Sequence, residues 1–264
     1  MPTPVVVEPI DHRLARLQKA LGITADGILG PETLTALEAR ILPKKQFDSA
    51  PFSLEVSRLG LDLLVGFEVS SKAFYEKFLR HPVWPGGESG ITIGIGYDIG
   101  VTSRKQIEHD WRGSIADAAV DRLLTAQGIR GLSARKLARA LSDLDVPLDV
   151  AQVVFYRGTV PLFAARTLAT YPRVDELPAD AQAMLLSLVY NRGTSLSGPR
   201  RRHMAALKPL IARGVANLGA IAEQFDLMTE LWPDLPGLRT RRRKEAAVIR
   251  ESDRSYDEDE LIRV

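Results

Sequence analysis

The segment 64–100 reads LVGFEVSSKAFYEKFLRHPVWPGGESGITIGIGYDIG, and it decides how the rest of the chain is read. Its first residues are apolar, and Glu68 falls where that apolar helix turns polar. Its last residues, Gly90-Ile91-Thr92-Ile93-Gly94-Ile95-Gly96-Tyr97-Asp98, alternate β-branched residues with glycine. Such alternation predicts a strand whose side chains point to opposite faces in turn. Ile91, Ile93, Ile95 and Tyr97 then share one face; Thr92, Gly94, Gly96 and Asp98 share the other. Glycine weakens a strand interior, so two on one face imply a close approach to the backbone. That face is read as the floor of a cleft, with Glu68 as its opposite wall.

The residue types in this stretch suit glycosidic chemistry. Cleaving a glycosidic bond takes one carboxylic acid to protonate the leaving oxygen and a second carboxylate to activate water or stabilise the positive sugar. An acid kept protonated near neutral pH needs a partly apolar site. Glu68 follows Leu63-Leu-Val-Gly-Phe67, which supplies one. Asp98 stands on the glycine-lined face, and Thr92 on that face could hold a water. Trp84 and Tyr97 flank the cleft and could stack on a sugar. Taken singly, however, a Glu at a helix end, an Asp before Ile-Gly and a Thr in a strand are all ordinary.

Composition narrows the class. Of the 264 residues, 45% are hydrophobic and 26% charged, enough for a real core in an ordinary globular chain. There is no Cys, so disulfides and thiolate metal sites are excluded. The net charge of +2 does not argue for nucleic acid. The N-terminal stretch lacks a basic start followed by an apolar core, so no signal peptide is expected. No apolar run is long enough to span a bilayer. His81, His109 and His203 lack metal-ligand spacing, so neither metal nor cofactor is expected. No G-x-S-x-G nucleophile elbow occurs.

Residues 12–41 predict two short helices around Ala25-Asp26-Gly27-Ile28-Leu29-Gly30, with Gly22 ending the first and Pro31 opening the second. Residues 43–54 read as a linker. A helix is predicted over 55–68. Beyond the central stretch the pattern is mostly helical, with segments at 105–111, 115–127, 134–144, 148–171, 179–191, 200–213, 216–228 and 238–250. Pro161 should break or kink the fourth. In the basic run Arg239 to Lys244, one side is expected to carry structural ion pairs and the rest to be solvated. The acidic end, 251–264, reads as a solvated tail. The fold class is α+β, predominantly helical, with a small β-hairpin lobe.

Two resemblances sharpen these expectations. Leu17-Gln18, Leu21-Gly22, Asp26-Gly27-Ile28-Leu29-Gly30-Pro31-Glu32-Thr33 and Leu37 resemble the small helical peptidoglycan-binding domain of bacterial and phage wall hydrolases. The likeness covers about residues 10–42 and implies a wall-binding role for the loop holding Asp26, Gly27 and Gly30. Phe67-Glu68 followed by Thr92-Ile-Gly-Ile-Gly-Tyr97 resembles the phage-type lysozymes of glycoside hydrolase family 24, whose catalytic Glu ends a helix before a T-I-G-x-G hairpin. Leu185 to Tyr190, Asn191-Arg-Gly193 resembles their buried helix ending in Asn-x-Gly, and Gly237-Leu-Arg-Thr-Arg241-Arg-Arg-Lys-Glu245 resembles their late G-L-x-x-R-R-x-x-E helix. The matches span about 60–250 in the family order.

One feature departs from that pattern. Most members carry the second carboxylate shortly before the Thr, where this chain has Trp84-Pro-Gly-Gly-Glu88-Ser-Gly90. Pesticin-like muramidase domains carry their Asp after the Thr, where Asp98 stands. The resemblance therefore implies Glu68 as general acid, Asp98 as second carboxylate with Glu88 as its substitute, and Thr92 as water holder. Trp84, Tyr97, Gly94, Gly96 and Asn191 are expected to meet substrate.

The expectation is a monomeric muramidase in two domains, 1–42 and 55–250, that cleaves peptidoglycan between N-acetylmuramic acid and N-acetylglucosamine. It would be made in the cytoplasm and released to the periplasm or wall by a holin or a secretion system. The rivals are a catalytically inactive wall-binding protein and a chitosanase-like hydrolase.

Overall fold

The structure, a computed structural model, describes residues 9–28, 33 and 53–264. The chain divides into two compact units, 1–51 and 52–264. In the first, helix α1 (Ile10–Leu21) ends at Gly22, whose φ of 75° turns the chain away. Gln18, 1% exposed, organises the loop that follows. Its Nε2 lies 2.7 Å from Asp26 Oδ1, 2.9 Å from the Ile28 carbonyl and 2.8 Å from Thr33 Oγ1, and its Oε1 accepts the Gly27 N–H at 2.8 Å. The second helix expected from Pro31, and Gly30 with it, lie outside the described residues apart from Thr33.

The second unit is α+β and predominantly helical, with two small antiparallel strand pairs. Strand β1 (Glu55–Ser57) runs into α2 (Arg58–Val69), capped where the Ser57 hydroxyl accepts the Gly60 N–H. A short helix, α3 (Lys72–Phe78), precedes β2 (Thr92–Ile93) and β3 (Tyr97–Asp98). Then follow α4 (Arg104–Trp111), α5 (Asp117–Leu124), α6 (Gly131–Ala140), α7 (Leu148–Val154), α8 (Val160–Thr170), α9 (Ala179–Arg192), α10 (Arg202–Ile211), α11 (Leu218–Leu227) and α12 (Pro236–Arg250). Each lies within a few residues of its expected segment.

The kink expected at Pro161 takes a particular form. Residues Phe155–Thr159 make one π-helical turn between α7 and α8, directly ahead of the proline. Proline lacks the N–H that would close the preceding α-turn and crowds the carbonyl four residues back, and a widened turn relieves both.

Helix α9 is the axis of the core. Every residue from Ala179 to Val189 is buried, which is why its sequence shows no amphipathic stripe. It packs against β1, α2, α8 and α12. Helix α2 crosses it closely at Gly60, where an added Cβ would stand 2.2 Å from Ala183 Cβ.

The acidic C-terminal stretch is not a solvated tail. Strand β4 (Leu261–Arg263) pairs antiparallel with β1, placing Glu55 opposite Arg263 and Ser57 opposite Leu261. Ser53 and Leu54, expected to belong to a linker, donate their N–H groups to the Val264 carbonyl, and Leu54 is buried. Arg254 joins Asp180 of α9 to Glu260, while Asp257 and Glu260 cap each other's turn. Asp257 and Glu260 of the charge run are thus taken up by local pairing, while Glu258 and Asp259 are exposed.

Candidate functional site

Glu68 lies in the last turn of α2, with a side chain 20% exposed. A carboxylate at a helix C-terminus opposes the helix dipole, a cost of about 0.3–1 kcal/mol. The compensation comes from α12: Arg241 Nη1 stands 2.7 Å from Glu68 Oε1. The Arg241 guanidinium also lies over the Phe67 ring, 4.9 Å from its centroid.

Arg241 is itself held from behind. Its Nε lies 3.2 Å from Glu245 Oε1, and its Nη2 donates to the Ser187 hydroxyl and carbonyl. The Ser187 hydroxyl donates to Glu245 at 2.6 Å. Arg242 completes the cluster with Nε 2.7 Å from Glu245 Oε2. Burial pushes the Arg242 guanidinium down to about 10, still far above neutrality, so it stays charged. Glu245 lies one helical turn from both arginines on α12, which lets each reach it. Arg243 and Lys244 on the other side are exposed, as expected for that basic run. Ser187 was not singled out in the sequence; nothing marks it until its helix is known to face α12.

The stretch read as one strand is a hairpin. Strands β2 and β3 pair antiparallel, Thr92 opposite Asp98 and Ile93 opposite Tyr97, around a turn at 94–96. Thr92 and Asp98 do share a face, because the register pairs them directly. The two glycines serve the turn: Gly94 has φ 57° and Gly96 φ 65°. Gly94 is buried, and an added Cβ would stand 3.1 Å from Trp111 and 3.2 Å from Ala151, so packing excludes substrate there. Gly96 is exposed on one side and meets Tyr190 on the other.

The remaining candidates separate in the same way. Tyr97 is a core residue rather than a sugar platform: it is 8% exposed, edge-on to Trp111, and donates its hydroxyl to Asp110 at 2.8 Å. Burial and then Asp110 push its phenol well above the usual range. Asp98 has both oxygens engaged by backbone, Oδ1 by the Gly100 N–H at 2.8 Å and Oδ2 by the Gly90 N–H at 3.2 Å. Gly90 must be glycine because an added Cβ would stand 2.3 Å from Asp98 Oδ1. Thr92 is half-buried and its backbone pairs with Val83, while its hydroxyl has no hydrogen-bond partner among the described residues. Trp84 is half-buried with its N–H held by the Ser89 carbonyl, and Arg135 lies 5.8 Å from its ring centroid. Glu88 and Asn191 are exposed. In the first unit, Asp26 is exposed and Gly27 half-buried, and both bond Gln18; the Ile28 N–H and then Gln18 hold the Asp26 carboxyl below its ordinary value.

Tyr190 of α9 ties that helix to the hairpin. Its hydroxyl donates to the Ile95 carbonyl at 3.0 Å, and burial, then the charge of Glu68, pushes its phenol well above the usual range. A cavity of about 430 Å³ is lined by Phe67, Leu235, Pro236, Gly237, Leu238 and Arg241. Thr92, Asp98 and Trp84 do not line it. Among the described residues no group of three or more His, Cys, Asp or Glu could hold a metal ion, and no helix is long and apolar enough to cross a membrane.

A family model described as a domain of unknown function (DUF8812) matches residues 64–159, from the last turns of α2 through the hairpin to the π-helical turn. The match takes in Glu68, Thr92 and Asp98 and stops before α9 and α12. No curated protein matches the chain.

Proposed function

We propose that the second unit is a glycoside hydrolase of lysozyme-like architecture acting on bacterial peptidoglycan, with Glu68 as its general acid. The observation that carries this reading is the Glu68–Arg241 contact: a partly exposed carboxylate kept at the unfavourable end of a half-buried helix by a buried guanidinium. A carboxylate placed against local electrostatics and held there by a dedicated network serves chemistry better than stability. The resemblance of the α2 end, the hairpin, α9 and α12 to phage-type lysozymes supports the same assignment.

In this reading Glu68 gives its proton to the glycosidic oxygen between N-acetylmuramic acid and N-acetylglucosamine. The Thr92 hydroxyl holds water, and a second carboxylate supports that water or the positive sugar. Asp98 is the carboxylate on the Thr92 face, and Glu88 is the exposed substitute. No cofactor takes part. The first unit concentrates the monomeric enzyme on the wall, an effective-concentration effect. The protein acts in the periplasm or on the wall after release from the cytoplasm.

One observation favours a second reading. Two backbone amides hold Asp98, as they would a structural carboxylate, which suits a wall-binding protein that keeps the fold without the activity. Release of reducing ends from purified sacculi separates the two. Muramidase activity that Glu68→Gln removes supports the enzyme; sacculus binding without release supports the binder. Activity on chitosan instead of sacculi would make it a chitosanase-like hydrolase.

A further inference from the structure

We infer that Tyr190 is a positioning residue that locks the tip of the β2–β3 hairpin to α9, so that the exposed edge of Gly96 and the Glu68 carboxylate keep a fixed spacing. This rests on the reading of Glu68 as the acid.

The turn at 94–96 receives a side chain from α9. The Tyr190 hydroxyl donates to the Ile95 carbonyl, the central residue of the turn, at 3.0 Å. Beside it, Gly96 leaves no room for a Cβ, which would stand 2.4 Å from that same oxygen. Gly94, on the other arm, is seated against Trp111 and Ala151. The tip is therefore pinned on both sides, by packing at Gly94 and by a directed hydrogen bond at Ile95.

The Tyr190 ring is fixed in turn. Phe163 lies 4.7 Å away centroid to centroid, and Phe155 of the π-helical turn meets it nearly edge-on at 5.8 Å. A rigid aromatic ring anchored in α9 thus carries one polar atom to the hairpin. Helix α9 also carries Ser187, which bonds Arg241, the partner of Glu68. One helix holds both walls of the proposed cleft, Glu68 through Ser187 and Arg241, and the hairpin through Tyr190. Two reacting groups held by one rigid element keep the spacing that catalysis needs.

The test is Tyr190→Phe, which removes one oxygen and leaves the ring packing. Amide hydrogen exchange at residues 94–97 should quicken about tenfold, the factor a hydrogen bond of ordinary net strength supplies, while α9 exchanges as in the wild type. On sacculi, kcat should fall by a similar factor with KM unchanged. Gly96→Ala should impair the Tyr190→Phe background less than it impairs the wild type, because the 2.4 Å clash is gone. Wild-type exchange at 94–97 in Tyr190→Phe overturns the inference, whatever the kinetics. Exchange is read without turnover, so a wild type that cleaves no glycan sinks the enzymatic reading while the clamp is still decided.

Discussion

Arg241 and Glu68 meet at 2.7 Å although 173 residues separate them, and Glu245, one turn beyond Arg241, holds the arginine from behind. Glu245 and Arg242 are fully buried, so their pairing cannot be replaced by water. Removing one partner of a buried pair leaves an uncompensated charge, at a cost of about 3–5 kcal/mol. Glu245→Gln should destabilise the second unit by that amount, read as a lower urea midpoint at unchanged slope. A loss under 1 kcal/mol would show that the cluster is hydrated and does not hold Arg241.

The crossing of α2 over α9 should be equally sensitive. Gly60→Ala puts a methyl 2.2 Å from Ala183 Cβ, and overpacking of this kind costs about 1–3 kcal/mol. Adding Ala183→Gly should recover part of the loss, which a thermal-unfolding double-mutant cycle would read as coupling. Strict additivity would place the close contact elsewhere.

Asp98 offers a test of structure against chemistry. Asp98→Asn keeps one acceptor oxygen and loses the other, so either the Gly90 or the Gly100 N–H goes unpaired, at a cost of about 1–3 kcal/mol. The expected result is a lower melting temperature and loss of sacculus cleavage together. Lower stability with full cleavage would move the second carboxylate to Glu88.

Acid stability should depend on surface carboxylates clamped by arginine. The hydrogen bonds from Arg122 hold Asp143 down at about 2, below its ordinary 3.8. Arg80 lowers Asp145 and Arg173 lowers Glu176 for the same reason. A carboxyl lowered on folding stabilises above its unfolded value and stops doing so as pH falls through its folded value. The Asp143 contribution is therefore complete above about pH 4 and gone near pH 2. Stability of Asp143→Asn should fall less steeply over that window than the wild type, and added salt should narrow the gap because the pair is exposed. Parallel curves would refute the clamp.

Much of the layout was legible because periodicity reports burial. The eight helical segments beyond residue 100, the break near Pro161 and the division of the basic run at Arg241 follow from 3.6-residue spacing and from proline's missing N–H. Contacts distant in sequence were not legible. The alternation in 91–98 fits one strand as well as a tight hairpin, and only the positive φ of Gly94 and Gly96 separates them. Tyr97 has the composition of a sugar platform, yet Trp111 and Asp110 draw it into the core. The acidic end reads as solvated because its partners, Asp180 and β1, lie far back in the chain. Tyr190 and Ser187 carry no local signal at all; their roles exist only once α9 lies between the hairpin and α12.

The most direct test of the account is reducing-end release from purified sacculi by the wild type and by Glu68→Gln. The substitution keeps an acceptor for Arg241 but removes the transferable proton, and general acid catalysis contributes about 10²–10⁴-fold. The expected result is cleavage by the wild type and a loss of that size in a variant that remains folded. Equal release by both proteins would contradict the assignment of Glu68 as the general acid.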